Sequence, residues 1–579
     1  MSSEESSSSI ETMISQSSTT ITMLSTYGSG SNITFPEFDE RVSFFHGLLS
    51  RPQLIYRSDH DKITFNREAM YSGQHPVQHY LLESLPGKLA SDFNRIVLPN
   101  ARTKWEEFKD FSGINTLTLN RFGRHHQFGS EAKKPYHAVF VGQAGDATEQ
   151  QNVIAAAFAN SIAASLENLG HADVPVYVIT WEVYEFAKRG KLENVATTKT
   201  QSLANITKGF TNASGVSTAL VKKETAQGTR GFWLLKKGDT NGRYAVSCRH
   251  VWQVDSVSNQ DPNLEYTYKE GTGMPKMEVA WPVHMAEINW KKDHWPANVT
   301  GIMDMISQKK RHLGYHITEA DRQIARTPMA QRECSEEYQD AVRIKARSER
   351  SGLELAQVEV NIVNQKKDVQ ARTGGFVIWS PPIDRHPRTG YTLDMAISIS
   401  YEDTHSTDAL ENYIILGDKI SETKLMDLLN RNDSNPTCFK YPEGGKLKFK
   451  TSITPISALI HGTQVDEHGV DDNIVLKDGR STGISVGRLS VTWGCRTLQM
   501  PNGSTKLTNE LAIVSGREYE PFCSEGDSGA AVVRCVNNEA ELVGMITSGS
   551  GYNREADHTW ATPAEALQEE WARHGYYLP

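Results

Sequence analysis

Phe522-Cys-Ser-Glu-Gly-Asp-Ser-Gly-Ala-Ala-Val-Val-Arg534 is a tight polar turn running into a short apolar strand. Within it, Gly526-Asp-Ser-Gly529 sets one hydroxyl, that of Ser528, between two glycines. Residues without a Cβ let the main chain approach a ligand closely and turn its N–H groups toward one point. Acyl transfer requires this pairing of a nucleophile with donors for a developing negative charge. The same four residues also make an ordinary loop, so the surrounding chain has to decide.

A serine hydroxyl is a poor nucleophile until a base takes its proton. Gly231-Phe-Trp-Leu-Leu235, a turn over 238–242 and Tyr244-Ala-Val-Ser-Cys-Arg-His-Val251 predict a β-hairpin that ends in His250. Tyr391-Thr-Leu-Asp-Met-Ala-Ile-Ser398 places Asp394 at the opening of an apolar strand. Taken singly, such a histidine is a core or surface residue and such an aspartate a turn residue. In the order His250, Asp394, Ser528 they resemble the trypsin-like (chymotrypsin-fold) serine proteases, whereas the subtilisin and α/β-hydrolase triads run in other orders.

That resemblance implies a double β-barrel with His250 as base, Asp394 as its orienting partner and Ser528 as nucleophile. It also implies an oxyanion hole from the backbone of Gly526 and Ser528, with no cofactor and no metal. Glu541-Leu-Val-Gly-Met-Ile-Thr-Ser-Gly-Ser-Gly551 resembles the strand that holds an extended substrate, Thr547 and Gly549 supplying the main-chain edge. His558-Thr-Trp-Ala-Thr562 then forms the other wall of the specificity pocket. Phe522 stands where the trypsin-type pocket carries an acid, and Thr559 narrows the slot. A small or medium apolar side chain is therefore expected before the cut. No Ile-Val-Gly-Gly start precedes Gly231, so Asp527 is expected to be held by a local hydrogen-bond partner rather than by a newly cleaved N-terminus.

The remaining chain sets the context. Its 579 residues, 38% of them hydrophobic, suffice for at least two domains. A net charge of -9 argues against a nucleic-acid partner, and no apolar run reaches bilayer length, so no membrane partner is expected. Residues 1–34 are Ser/Thr-rich and lack a signal-peptide pattern, which predicts a disordered tail. The six cysteines are scattered, and Val251 stands where secreted relatives carry a bridging cysteine. A cytoplasmic protein with unused sequons at Asn205 and Asn298 is the expectation.

From Trp105 the pattern predicts a strand over 115–122, a strand over 137–142, a helix over 149–169 closed by Gly170, and a strand over 174–182. This is an N-terminal α/β (α+β) domain spanning 35–187. The Gly142–Thr148 stretch reads as a connecting turn with Thr148 near an N-cap, since it lacks the lysine and glycine spacing of a phosphate loop. A polar linker over 188–224 leads to the protease-like domain, 225–579. The interval between His250 and Asp394 carries an inserted helical hairpin at about 317–360, either a solvated decoration or a partner-binding element. The N-terminal unit, Ser247-Cys-Arg-His250, this insert and Asp478-Gly-Arg-Ser-Thr-Gly483 also resemble uncharacterised intracellular proteins of filamentous fungi. The expected function is a serine endopeptidase acting on a protein or peptide substrate. The alternative is a catalytically silent protease-fold module whose N-terminal domain and insert bind a protein partner.

Overall fold

The computed structural model describes residues 33–579 except 46, 61–77, 83–86, 126–134, 186–187, 190–211, 222, 253–261, 273, 281–311, 328–331, 333–334, 365–372, 402–409, 417–418, 431–436, 438, 443–444, 463, 466–470, 501–502, 517–519 and 552–555. All but residues 33–34 of the expected tail, and Asn205, Asn298, Cys334 and Cys438, lie outside the described residues.

The N-terminal part pairs β1 (Leu54–Arg57), β2 (Ile114–His125) and β3 (Tyr136–Gln143) with β4 (Val176–Thr180), and α1 (Glu149–Asn168) carries the chain from β3 to β4. β3 and β4 are parallel, which a tight turn cannot connect, and the helix supplies the crossover. Thr148 starts α1 through a capping box: its Oγ1 accepts from Gln151 N at 3.3 Å, while its own N–H donates to Gln151 Oε1 at 2.8 Å. Gly170, at φ 85°, ends it. Ile154, Phe158, Ile162 and Leu166 form the buried face, packed on Val139, Val141, Val176 and Val178 of the sheet.

This sheet does not stop at the N-terminal part. Leu117 and Thr116 of β2 pair with Cys495 and Arg496 of a later strand, so hydrogen bonding continues into the C-terminal half. Between β4 and that half the chain forms β5 (Glu182–Glu185), β6 (Lys188–Arg189), β7 (Val216–Leu220), β8 (Lys223–Arg230), β9 (Phe232–Lys236), β10 (Asp239–Ser247) and β11 (Glu278–Ala280). The stretch expected as a linker, 188–224, thus contributes strands to the second sheet. α2 (Glu336–Asn364), β12 (Thr373–Ser380) and β13 (Ala396–Ser400) follow. A helix over 312–326 lies beside α2, linked by Lys345 Nζ to Asp321 at 2.7 Å. Both side chains are exposed, so this pair contributes little to stability.

The second sheet closes on itself. β9 pairs with β10, which continues through β13, β12, β11 and β7 to β8. β8 and β9 are one bent strand interrupted at Gly231, whose N–H donates to Val246 O at 2.9 Å. A Cβ at Gly231 would stand 2.3 Å from Gly529 O, so only glycine allows the bend so close to the serine turn.

The C-terminal half repeats this closure with β14 (Ile474–Gly479), β15 (Gly483–Gln499), β16 (Thr505–Ser515), β17 (Ala531–Val536), β18 (Glu539–Gly551) and β19 (His558–Pro563). β14, β15, β16, β19, β18 and β17 pair antiparallel in that cycle, and β17 returns to β14. The chain is thus sheet-rich with few helices. Strand alternation sorts its cores: Val475 points into this second ring with Leu489, Ile513 and Ile546, whereas Ile474 and Leu476 face the larger core shared with the first ring.

α3 (Ala564–Arg573) leaves β19 and crosses back to the first ring, where Trp571 meets Phe232 edge-on at 5.5 Å between ring centroids. Trp571 is fully buried there. Trp571→Ala is expected to lower unfolding free energy by about 3–5 kcal/mol, because the vacated volume cannot be refilled. Urea unfolding followed by circular dichroism measures the loss.

Candidate active site

The expected site residues arrive from three places in the chain. His250 follows the end of β10 in a turn held by Arg249, whose buried guanidinium donates to the carbonyls of Ser380 at 2.9 Å and Leu264 at 3.1 Å. Asp394 lies between the strand pair Thr392–Leu393 and β13. Thr392 is anchored to the second ring: its hydroxyl meets the Glu510 carboxylate, its carbonyl accepts from Thr562 Oγ1 at 2.6 Å, and Glu510 pairs with Arg496 at 2.8 Å.

The structure brings His250 and Asp394 into contact. Asp394 Oδ2 bonds the His250 ring at Nδ1, and Oδ1 accepts the His250 N–H at 3.2 Å. Burial by itself raises the Asp394 carboxyl, but the adjacent imidazole and the N–H groups of His250 and Arg249 outweigh it and hold the group below the usual carboxylate range.

Ser528 belongs to the turn between Cys523 and β17. The same carbonyl, Ile546 O on β18, accepts from Gly529 N at 2.8 Å and from Cys248 Sγ at 3.2 Å. One peptide therefore holds both the serine turn and the segment that carries His250. From the other side, Thr229 on β8 donates its N–H to Ser528 O at 2.8 Å and its hydroxyl to Gly526 O at 2.9 Å. The Ser528 hydroxyl itself donates to Thr547 O at 2.9 Å.

Within the turn, Asp527 N bonds Ser524 O and Gly529 N bonds Ile546 O, whereas the amides of Gly526 and Ser528 donate to none of the described residues. Gly526 and Gly529 sit at φ 102° and 88°, a region that favours glycine. A Cβ on Gly526 would also stand 2.5 Å from Arg480 Nη1, so a guanidinium borders this loop.

Asp527 does have a local partner, and the sequence reading did not name it. Lys477 on β14, fully buried, lies 3.0 Å from the Asp527 carboxylate. That carboxylate also accepts from Ser481 N at 2.7 Å, Thr482 Oγ1 at 2.7 Å, Ser524 N at 3.1 Å and Thr482 N at 3.4 Å. Gly479 leaves the space: a Cβ there would come within 2.3 Å of the carboxylate. Burial lowers the Lys477 ammonium, but Asp527 beside it more than compensates and its pKa is raised. The signal available in the sequence was Lys477 itself, a charge two residues from Val475 and so on the same inward face of a strand that opens Ile474-Val-Leu476.

The expected substrate-binding residues are distributed unevenly. Thr547 abuts the serine through its carbonyl. Phe522 is buried in the core of the second ring, and Thr559 is buried on β19 opposite Gly549. The main-chain edge of β18 is occupied. Ser548, Gly549, Ser550 and Gly551 pair antiparallel with Glu185, Tyr184, Val183 and Glu182 of β5. Just before β5, Trp181 stacks on His558 at 4.9 Å, and burial lowers that histidine to about 3, leaving it neutral.

Cys248, His250 and Asp394 present ligand atoms within 4.8 Å of one another, a group able to hold a metal ion. The hydrogen bonds from His250 to Asp394 and from Cys248 to Ile546 O already employ these atoms. The described cysteines, Cys248, Cys495, Cys523 and Cys535, form no disulfide, and no described helix is long and apolar enough to cross a membrane.

Lys477→Met is expected to cost about 3–5 kcal/mol, because it strands a buried carboxylate, and Lys477→Met/Asp527→Asn is expected to recover part of that loss. Guanidinium unfolding of the two variants compares them. Because the folded-state pKa of Lys477 is raised, the pair's contribution is fully present below the unfolded lysine value near 10.4 and is lost as pH rises through the higher folded value. Above the unfolded lysine value the wild type should therefore lose stability with rising pH, a dependence that Lys477→Met/Asp527→Asn, which lacks the titrating pair, should not show in the same unfolding measurement.

No protein-family model and no curated protein matches the chain. Among solved structures it is similar to one described as "A glutamic acid specific serine protease utilizes a novel histidine triad in substrate binding", at 10% identity and a TM-score of 0.27, over 63% of this chain and 100% of that one.

Proposed function

We propose that this chain is a serine endopeptidase built on the two-barrel scaffold of the trypsin-like proteases. The observation that carries the reading is the convergence at Ile546 O. One carbonyl secures both the His250 segment and the Ser528 turn, while two amides of that turn remain uncommitted among the described residues.

In this reading His250 takes the Ser528 proton as Ser528 attacks a peptide carbonyl. Asp394, kept ionised beside the ring, stabilises the imidazolium. The Gly526 and Ser528 N–H groups receive the oxyanion, each donor worth on the order of 3 kcal/mol in the transition state. The hydroxyl donates to Thr547 O, so in this reading it has to leave that acceptor and turn to the imidazole before attack. With Lys477 as the Asp527 counter-charge, the turn needs no newly formed N-terminus.

One observation favours a second reading, a protease-fold module that binds without cutting: β5 already occupies the main-chain edge of β18. A fluorophosphonate probe separates the two. Covalent labelling of Ser528, located by peptide mass spectrometry, supports the enzyme, and a chain that stays unlabelled as full-length protein and after removal of β5 refutes it.

Ser528→Ala should abolish turnover of a peptide library. Asp394→Asn should lower kcat by about ten-thousand-fold with little change in KM, since it misorients the imidazole rather than removing binding contacts. Equal rates for Asp394→Asn and the wild type would refute the assigned role.

A further inference from the structure

We propose that His312 and His316 form a two-imidazole site for a divalent late transition-metal ion, nickel(II) or copper(II), on the first helix of the insert between His250 and Asp394. This site does not depend on the endopeptidase reading.

The spacing begins in the sequence. Residues four apart on a helix lie one above the other on the same face, so His312-Leu-Gly-Tyr-His316 turns two imidazoles to one side of the helix over 312–326. Their Nε2 atoms stand 2.9 Å apart. The ring centroids are 4.4 Å apart, with the ring planes at 87°. Because the nitrogens are closer than the centroids, the lone-pair axes, which run from each centroid through Nε2, converge in front of the rings.

That convergence matches what an ion requires. Imidazole binds a transition metal along this axis at about 2.0–2.1 Å. Two nitrogens 2.9 Å apart share a point at that distance from both, where they subtend an angle of about 90°. Neighbouring ligands meet at this angle in square-planar and octahedral complexes. A tetrahedral zinc ion would need the nitrogens about 3.4 Å apart, which is why nickel(II) and copper(II) fit better.

Without metal, one Nε2–H donates to the other Nε2. An ion needs both Nε2 lone pairs, so the donating ring moves its proton to Nδ1 and both rings stay neutral. The nearest carboxylate on the same face is already engaged: Glu319 accepts from Arg322 at 3.0 Å. His312 is exposed and His316 half-buried beside Tyr315, so water can fill the remaining coordination positions.

The helix that carries the pair is held in place. Ala320 is buried, as is Ala341 on α2, and Lys345 of α2 bonds Asp321 at 2.7 Å. Two ligands on one supported helix are oriented before the ion arrives, so little ordering opposes binding.

The experiment uses the full chain as wild type, His312→Gln, His316→Gln and the double variant, with far-UV circular dichroism of all four to confirm equal folding. Each is titrated with nickel(II) chloride by isothermal calorimetry in a non-coordinating buffer. The wild type is expected to take up one nickel ion more than the double variant. Either single substitution should weaken binding of that ion at least about tenfold, because a second imidazole on the same ion acts at high effective concentration. Equal nickel uptake by the wild type and the double variant would overturn the proposal. Single variants that both keep the wild-type affinity would also overturn it, since the two rings would then bind ions separately.

Discussion

The structure around Ser528 depends on one buried ion pair. Lys477 and Asp527 are both fully buried, and desolvating two charges costs several kcal/mol per ion unless further polar contacts complete the site. Here the carboxylate also receives three backbone N–H groups and a hydroxyl from the 481–482 and 524 segments. Those contacts tie the Gly526–Gly529 turn to the tip of the β14–β15 hairpin. Gly526 and Gly529 can then hold positive φ in a fixed orientation. A lysine inside the same ring supplies the counter-charge to that carboxylate.

A second constraint is that neither ring holds a complete site. His250 hangs from the first ring, Ser528 from the second, and Asp394 precedes a first-ring strand while its neighbour Thr392 is bonded to the second. Thr229 joins the two through a backbone hydrogen bond to Ser528 O, and Ile546 through its carbonyl, which accepts from Cys248 Sγ. The N-terminal part adds a third attachment. Its sheet continues from β2 into β15, and its last strand, β5, runs along β18 beside the serine. It therefore borders the strand whose Thr547 carbonyl accepts from the Ser528 hydroxyl.

Local rules made much of this legible. The hairpin ending in His250, the helix with its Thr148 cap and Gly170 stop, and the glycine-flanked serine are short-range patterns, governed by strand alternation, capping and positive φ within a few residues. Asp394 was readable because an aspartate opening an apolar strand is a local feature. Lys477 was half visible: the pattern marks an inward charge in β14, but its partner lies 50 residues away. Nothing local names Asp527 as that partner.

The occupation of β18 by β5 had no such trace. Glu182-Val-Tyr-Glu185 reads as a continuation of the preceding strand, and main-chain hydrogen bonds, which every sequence can make, carry no residue code for their partner. Residue types and their order were enough to name a hydroxyl, an imidazole and a carboxylate, because their chemistry is intrinsic to each side chain. Which strand edge lies open, which is filled and where a buried charge finds its opposite depend on the closure of two sheets around each other, since only that closure sets distances between segments hundreds of residues apart.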